Sequence, residues 1–198
     1  MVYCAHFCIL GKYIEIFLIK TGDILIAKPF LQDGIFRRSV IYLCEHTAIG
    51  SLGFIINKKQ GLLLKDIFPH LKNAEFPIFE GGPVSQNQLF YTHTIGSVLK
   101  DSLPIKDNVY WGGNFMQLCE MMESGQVNES QIRFYVGYSG WDKNQLKQEI
   151  NNQEWLTNQT HYAQLIEKDA DTLWGEELKK INPRYRVFSD YPFDPSLN

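Results

Sequence analysis

The run Val40-Ile41-Tyr42-Leu43-Cys44, bordered by Arg38 and Glu45, restricts the fold more than any other segment of this chain. A strand with apolar side chains on both faces has no side to offer to water, so it belongs in the middle of a sheet covered on both sides. Gly50, Ser51 and Gly53 surround a turn into a second apolar run, Phe54-Ile55-Ile56-Asn57, and the pair predicts a β-hairpin. Asp23 to Ala27 reads as a further strand, stopped by Lys28-Pro29 because proline removes a ladder donor. More strands are predicted at 77–80, 88–92, 108–111 and 131–138.

Helical signals are fewer. Asn114 is placed to cap a helix over 115–124, with Gly125 where a left-handed residue ends it. Phe115, Leu118, Cys119 and Met122 would form its apolar face. Asp142 is the expected cap of a short helix over 144–151, and 62–68 holds at most one short helix. Asp171 is the expected cap of a last helix carrying Leu173, Leu178 and Ile181 on one side, which Pro183 stops. Strands outnumber helices and follow one another through short turns, which points to an α+β fold rather than a doubly wound α/β one.

The chain of 198 residues suits one domain and buries enough surface to need no disulfide or metal staple. Its 19 Lys+Arg against 22 Asp+Glu leave a net charge of −3, which argues against holding nucleic acid mainly by phosphate neutralisation. No basic cluster exceeds a Lys-Lys or Arg-Arg pair, and no helix-turn-helix, zinc-finger or RRM pattern occurs, so direct nucleic-acid binding is not expected. No stretch of about 20 uncharged apolar residues exists to span a membrane. Residues 1–20 read as an N-terminal extension without the basic start or cleavage site of a secretory signal, and 21–198 as the single domain. Cys4, His6 and Cys8 lie close together but lack the second ligand pair of a zinc site, so neither metal nor cofactor is expected. Cysteines too few and scattered for a disulfide framework fit a cytoplasmic protein.

The densest polar constellation is Asp33, Arg37, Arg38, Glu45 and His46. Arg38 has the geometry to clamp a carboxylate or phosphate, and His46, at the strand end, is of the residue type that serves as a general base. Equally, Arg38 can pair with Asp33 or Glu45, and His46 can close the hairpin turn. No nucleophile elbow, catalytic triad order or zinc-protease signature accompanies them, so the structural reading is preferred. Gly81-Gly82-Pro83, after a strand, makes either an anion-binding nest or a tight bend, and the bend is the commoner outcome. Trp155 and Trp174 read as core, whereas Trp141 suits either the core or a pocket wall.

Three stretches carry a family resemblance. They are Gly22 to Lys58, with its Gly-Asp-Ile-Leu-Ile-Ala-Lys-Pro start and Gly50-Ser51-Leu52-Gly53-Phe54-Ile55-Ile56-Asn57; Glu80-Gly81-Gly82-Pro83-Val84; and Gly137-Tyr138-Ser139-Gly140-Trp141-Asp142 continuing to Ile150. In order and spacing they resemble the bacterial YqgE/AlgH family from about Gly22 to Ile181. The resemblance implies a forked, mostly antiparallel β-sheet folded into a pseudo-barrel with flanking helices. Some members are labelled transcriptional regulators, and no catalytic residues carry over. This chain departs from the pattern at Asn144, where glycine is common, and at Lys147, where an acid is usual; asparagine still tolerates the left-handed backbone.

Together these readings imply a cytoplasmic, non-enzymatic binding or regulatory protein, acting through a small ligand or a protein partner, as monomer or dimer. The alternative is a hydrolase or transferase of a small anionic substrate. The ligand-binding candidates are Asp33, Arg38, Glu45, His46, Asn57, Gly81, Gly82, Tyr138 and Trp141.

Overall fold

The computed structural model describes residues 19–31 and 33–189. The expectations for Cys4, His6, Cys8 and almost all of the 1–20 extension fall outside the described residues. In chain order the elements are β1 (Ile24–Ala27), β2 (Val40–His46), β3 (Gly50–Ile55), β4 (Lys59–Leu63), α1 (Leu64–Ile67), β5 (Pro77–Glu80), β6 (Val84–His93), β7 (Leu103–Lys106), β8 (Val109–Trp111), α2 (Phe115–Glu123), β9 (Ile132–Asp142), α3 (Gln145–Asn151), β10 (Trp155–Asn158), α4 (Tyr162–Ile166), α5 (Ala170–Ile181) and α6 (Arg186–Ser189). The fold is α+β, a large and mostly antiparallel sheet flanked by helices, and no helix among the described residues is long and apolar enough to cross a membrane.

The sheet runs β10-β1-β2-β3-β9-β6-β8-β7, with β5 and β4 branching from β9. Along one edge of β9 lies β6, pairing with residues from Ile132 to Tyr138. The other edge is shared. Its first part, Phe134 to Val136, pairs in parallel with β5, and its last part, Ser139 to Asp142, pairs antiparallel with β3. One strand edge serving two partners is what forks the sheet.

Glycine makes the fork possible. Gly81 donates its N–H to the Val136 carbonyl at 2.9 Å and accepts from Ile55 N at 3.0 Å and Ser139 Oγ at 3.1 Å, so it binds β3 and β9 at once. A Cβ at Gly81 would stand 2.1 Å from the Gly137 carbonyl oxygen, and Gly137 itself has a φ of +72°, a region that favours glycine. The second and third family-like stretches therefore pack against each other, backbone on backbone.

Strand alternation sorts the core into layers. Val40, Tyr42 and Cys44 of β2, with Ile24, Ile26, Phe54 and Phe79, face an inner core closed by Tyr162, Leu173, Trp174 and Leu178 of α4 and α5. Ile41 and Leu43 face the opposite layer, covered by Trp141, Leu146 and Trp155. A third layer packs Leu118, Cys119 and Met122 of α2 on Ile78 and Phe134. The inner core draws on both arms of the fork, which wrap around it.

Asn114 caps α2 as expected, its side chain accepting from Gln117 N, and Gly125 follows in the left-handed region. Two expected caps are displaced. Asp142 ends β9, and α3 begins after Asn144, which adopts a φ of +66°. The α5 cap is Asp169, which accepts from Asp171 N, so the helix starts earlier than expected. The β4, β7, β10 and α4 elements carried no recognised signal.

Candidate functional site

The candidate residues separate into three places because β2 keeps its ends apart. Arg38 precedes the strand and His46 ends it, and six residue steps of strand span about 20 Å.

At the Arg38 end lies a cleft of about 740 Å³ between the β2–β4 region, the end of β5, and α5. Arg37, Arg38, Lys58, Lys59 and Lys179 line it, with Glu80, Asp171 and Glu176 as its carboxylates. Arg38 takes a left-handed φ of +54°, and its guanidinium lies over the Trp174 ring, 5.1 Å from the centroid. It packs there rather than on Asp33 or Glu45. Burial, and then the neighbouring Arg37 charge, lower the Arg38 pKa from its usual value. Trp174 is buried, donates from Nε1 to the Ala27 carbonyl at 2.7 Å, and floors the cleft.

Asn57 shapes the cleft from beneath. Its Oδ1 accepts from Val40 N at 2.7 Å and its Nδ2 donates to the Arg38 carbonyl at 2.9 Å. Lys58 donates from Nζ to the Ile35 carbonyl, and half-burial lowers its pKa against the opposing pull of Glu80 and Asp33. Asp33 itself is exposed and turns the preceding loop, its Oδ1 accepting from Ile35 N at 3.1 Å.

The opposite end of the hairpin holds a shallower cleft of about 560 Å³, where Glu45, Tyr138 and Trp141 meet Ser51 and Asp142. His46 adjoins it through Nδ1, 2.7 Å from Ser51 Oγ, while its backbone N–H donates to Thr21 Oγ1 at 3.1 Å. The Trp141 indole is buried and donates to Glu149 Oε2 at 2.7 Å; Trp155 donates to the same oxygen at 2.8 Å. Gly81 and Gly82 belong to neither cleft but to the fork. Gly81 gives its N–H to Val136, and a Cβ at Gly82 would stand 2.3 Å from the Tyr138 carbonyl carbon.

The structure thus brings Arg38 and Asn57 together, and separately Glu45, Tyr138, Trp141 and His46. Sequence reading missed Lys59, Glu80 and Lys179 as cleft residues, and Trp174, expected in the core, lies there and also lines the cleft. The Lys58-Lys59 pair beside Asn57 was a usable local signal, but nothing near α5 announces that it returns to Arg38. Among the described residues, no group of three or more His, Cys, Asp or Glu side chains is placed to hold a metal ion.

A family model described as AlgH-like matches residues 24–186. A UPF0301 protein of Cytophaga hutchinsonii is 37% identical over 182 residues, covering 91% of this chain and 100% of the relative. One of Bacteroides fragilis is 40% identical over 180 residues, covering 90% and 91%. The solution structure of the AlgH protein from Pseudomonas aeruginosa superposes with a TM-score of 0.69 at 24% identity, covering 87% of this chain and 94% of that one. The crystal structure of protein DIP2367 from Corynebacterium diphtheriae gives 0.70 at 19% identity, covering 87% and 93%. At those identities the two structures speak to fold alone.

Proposed function

The chain belongs to the AlgH-like family, and from that premise we propose that it is a non-enzymatic binding protein whose Arg38 cleft takes a small anion. One observation carries this reading: five cationic side chains line a single cleft against three carboxylates. A concave site with low-dielectric walls concentrates that field on a bound anion.

Binding is favoured over catalysis because the pair that a hydrolase or transferase reading needs, the Arg38 clamp and the His46 base, stands at opposite ends of β2. A regulatory role would follow from ligand occupancy read by a protein partner. Direct duplex binding forms no part of the proposal, since Glu80, Asp171 and Glu176 interrupt the basic lining that a phosphate backbone would follow. The buried free thiols of Cys44 and Cys119 support a cytoplasmic setting.

The test is a thermal-shift panel of phosphorylated and carboxylated small molecules and short oligonucleotides, on wild type, Lys59→Ala, Lys179→Ala and Arg38→Asn. Asparagine keeps the left-handed backbone at position 38 accessible. A ligand at 100 times its Kd adds about 2.7 kcal/mol of stability. A small-anion hit weakened in all three folded variants supports the proposal. A hit indifferent to them, or stabilisation by oligonucleotides alone, overturns it.

A further inference from the structure

Resting on the anion reading of the Arg38 cleft, we propose that its ligand is a hydroxylated phosphate monoester, with Glu80 as the residue that reads a hydroxyl. Glu80 ends β5, and its backbone is held by the hydrogen bond from its N–H to the Lys58 carbonyl at 2.8 Å. Its side chain, half-buried, forms part of the cleft wall. Among the described residues no hydrogen bond or ion pair closes on that carboxylate, although Lys58 is near enough for the two charges to be felt. The Lys58 ammonium turns instead to the Ile35 carbonyl. Beside the exposed Asp171, a cation-lined cleft therefore contains a half-buried carboxylate, carried on a held backbone, that a bare anion would meet with repulsion.

A ligand that suits both features carries a negative group for the arginine and lysine side chains and a hydrogen-bond donor for Glu80. An ammonium donor would meet the repulsion of Arg37, Arg38, Lys58, Lys59 and Lys179; a hydroxyl meets none and loses less hydration on entry. Phosphate is preferred to carboxylate because its oxygens can engage several of these cations at once. The cleft, at about 740 Å³, has room for the phosphate together with a short polyol or sugar.

Titration calorimetry with ribose 5-phosphate, butyl phosphate and inorganic phosphate tests this on wild type and Glu80→Ala. A hydroxyl hydrogen-bonded to a half-exposed carboxylate is expected to make ribose 5-phosphate bind about tenfold more tightly than butyl phosphate. In Glu80→Ala the two should bind alike, with inorganic phosphate no weaker than in wild type, because a negative charge has left the cleft. Equal binding of the two esters by wild type, or a preference that survives in Glu80→Ala, overturns the hydroxyl role while leaving the anion site intact. Carboxylates that bind where all three phosphates fail overturn this inference alone. Failure of every anion overturns the site as well.

Discussion

Asn57 donates from Nδ2 to the main-chain carbonyl of Arg38 at 2.9 Å and accepts at Oδ1 from Val40 N at 2.7 Å, so one carboxamide extends the β2–β3 ladder past its end. The backbone of Arg38, left-handed at φ +54°, is held by that bond. Asn57→Ala strands a buried N–H and is expected to destabilise the protein by about 2 kcal/mol. It should also weaken anion binding at the cleft beyond the effect of Lys59→Ala. Urea unfolding and the thermal-shift panel check the two effects separately; a variant of wild-type stability would remove Asn57 from this role.

The fork predicts unequal tolerance among glycines. Gly81→Ala sets a methyl 2.1 Å from a carbonyl oxygen of another strand, and backbone cannot step aside as a side chain does. Its expected cost is more than about 3 kcal/mol, seen as insolubility or loss of the cooperative transition. Gly61→Ala has nothing within 4 Å and a φ of +72°, so only the backbone cost of about 1 kcal/mol applies. Comparable losses in the two variants would contradict the fork as described.

His93 links stability to pH. Its Nε2 lies 3.1 Å from both the Gly112 carbonyl and Ser102 Oγ, which places the proton there, and its buried Nδ1 has no hydrogen-bond partner among the described residues. Burial lowers its pKa below the ordinary 6.5, against a smaller opposing effect of the Gly112 carbonyl. The unfolded chain therefore takes up the proton first as pH falls. The stabilisation from neutral His93 is complete above about 6.5 and is lost as pH falls from there toward the folded pKa, by at most about 1.4 kcal/mol per pH unit. Urea midpoints measured either side of that pH should show the slope in wild type and not in His93→Phe, which keeps an aromatic ring against Tyr110. An unchanged slope in the variant would assign the effect to other groups.

Glu149 holds two indoles at one oxygen, and Gln145 Nε2 donates to its other oxygen at 2.9 Å. Glu149→Ala leaves two largely buried N–H donors without their acceptor, an expected loss of about 3 kcal/mol; Glu149→Gln, which keeps an acceptor oxygen, should lose about 1 kcal/mol. Near-ultraviolet circular dichroism of Trp141 and Trp155, whose rings meet edge-on with centroids 6.2 Å apart, should change with the first variant more than with the second. An unaltered spectrum in Glu149→Ala would show that packing alone orients the two rings.

Much of the frame was legible along the chain. The apolar run of β2, its hairpin with β3 and the Asn114 cap each depend on residues within a few positions of one another, where periodicity, glycine and hydrogen-bonding side chains act. The strands β4, β7 and β10 escaped because they are short and mix charged or polar residues with apolar ones, leaving no alternation to read. Asp171 and Asp169 are chemically equal as caps, and the fold uses Asp169, whose side chain accepts from Asp171 N. The sharing of one β9 edge between β3 and β5, and the return of α5 to lay Trp174 beneath Arg38, join segments far apart in sequence. Such contacts follow from the register of the whole sheet and from which apolar faces remain to be buried once it has formed. Sequence alone therefore determined which residues build the central strands and their turns. Only the tertiary structure decided that Arg38 and His46 serve different surfaces, because the strand β2, Val40–His46, is long enough to hold them apart.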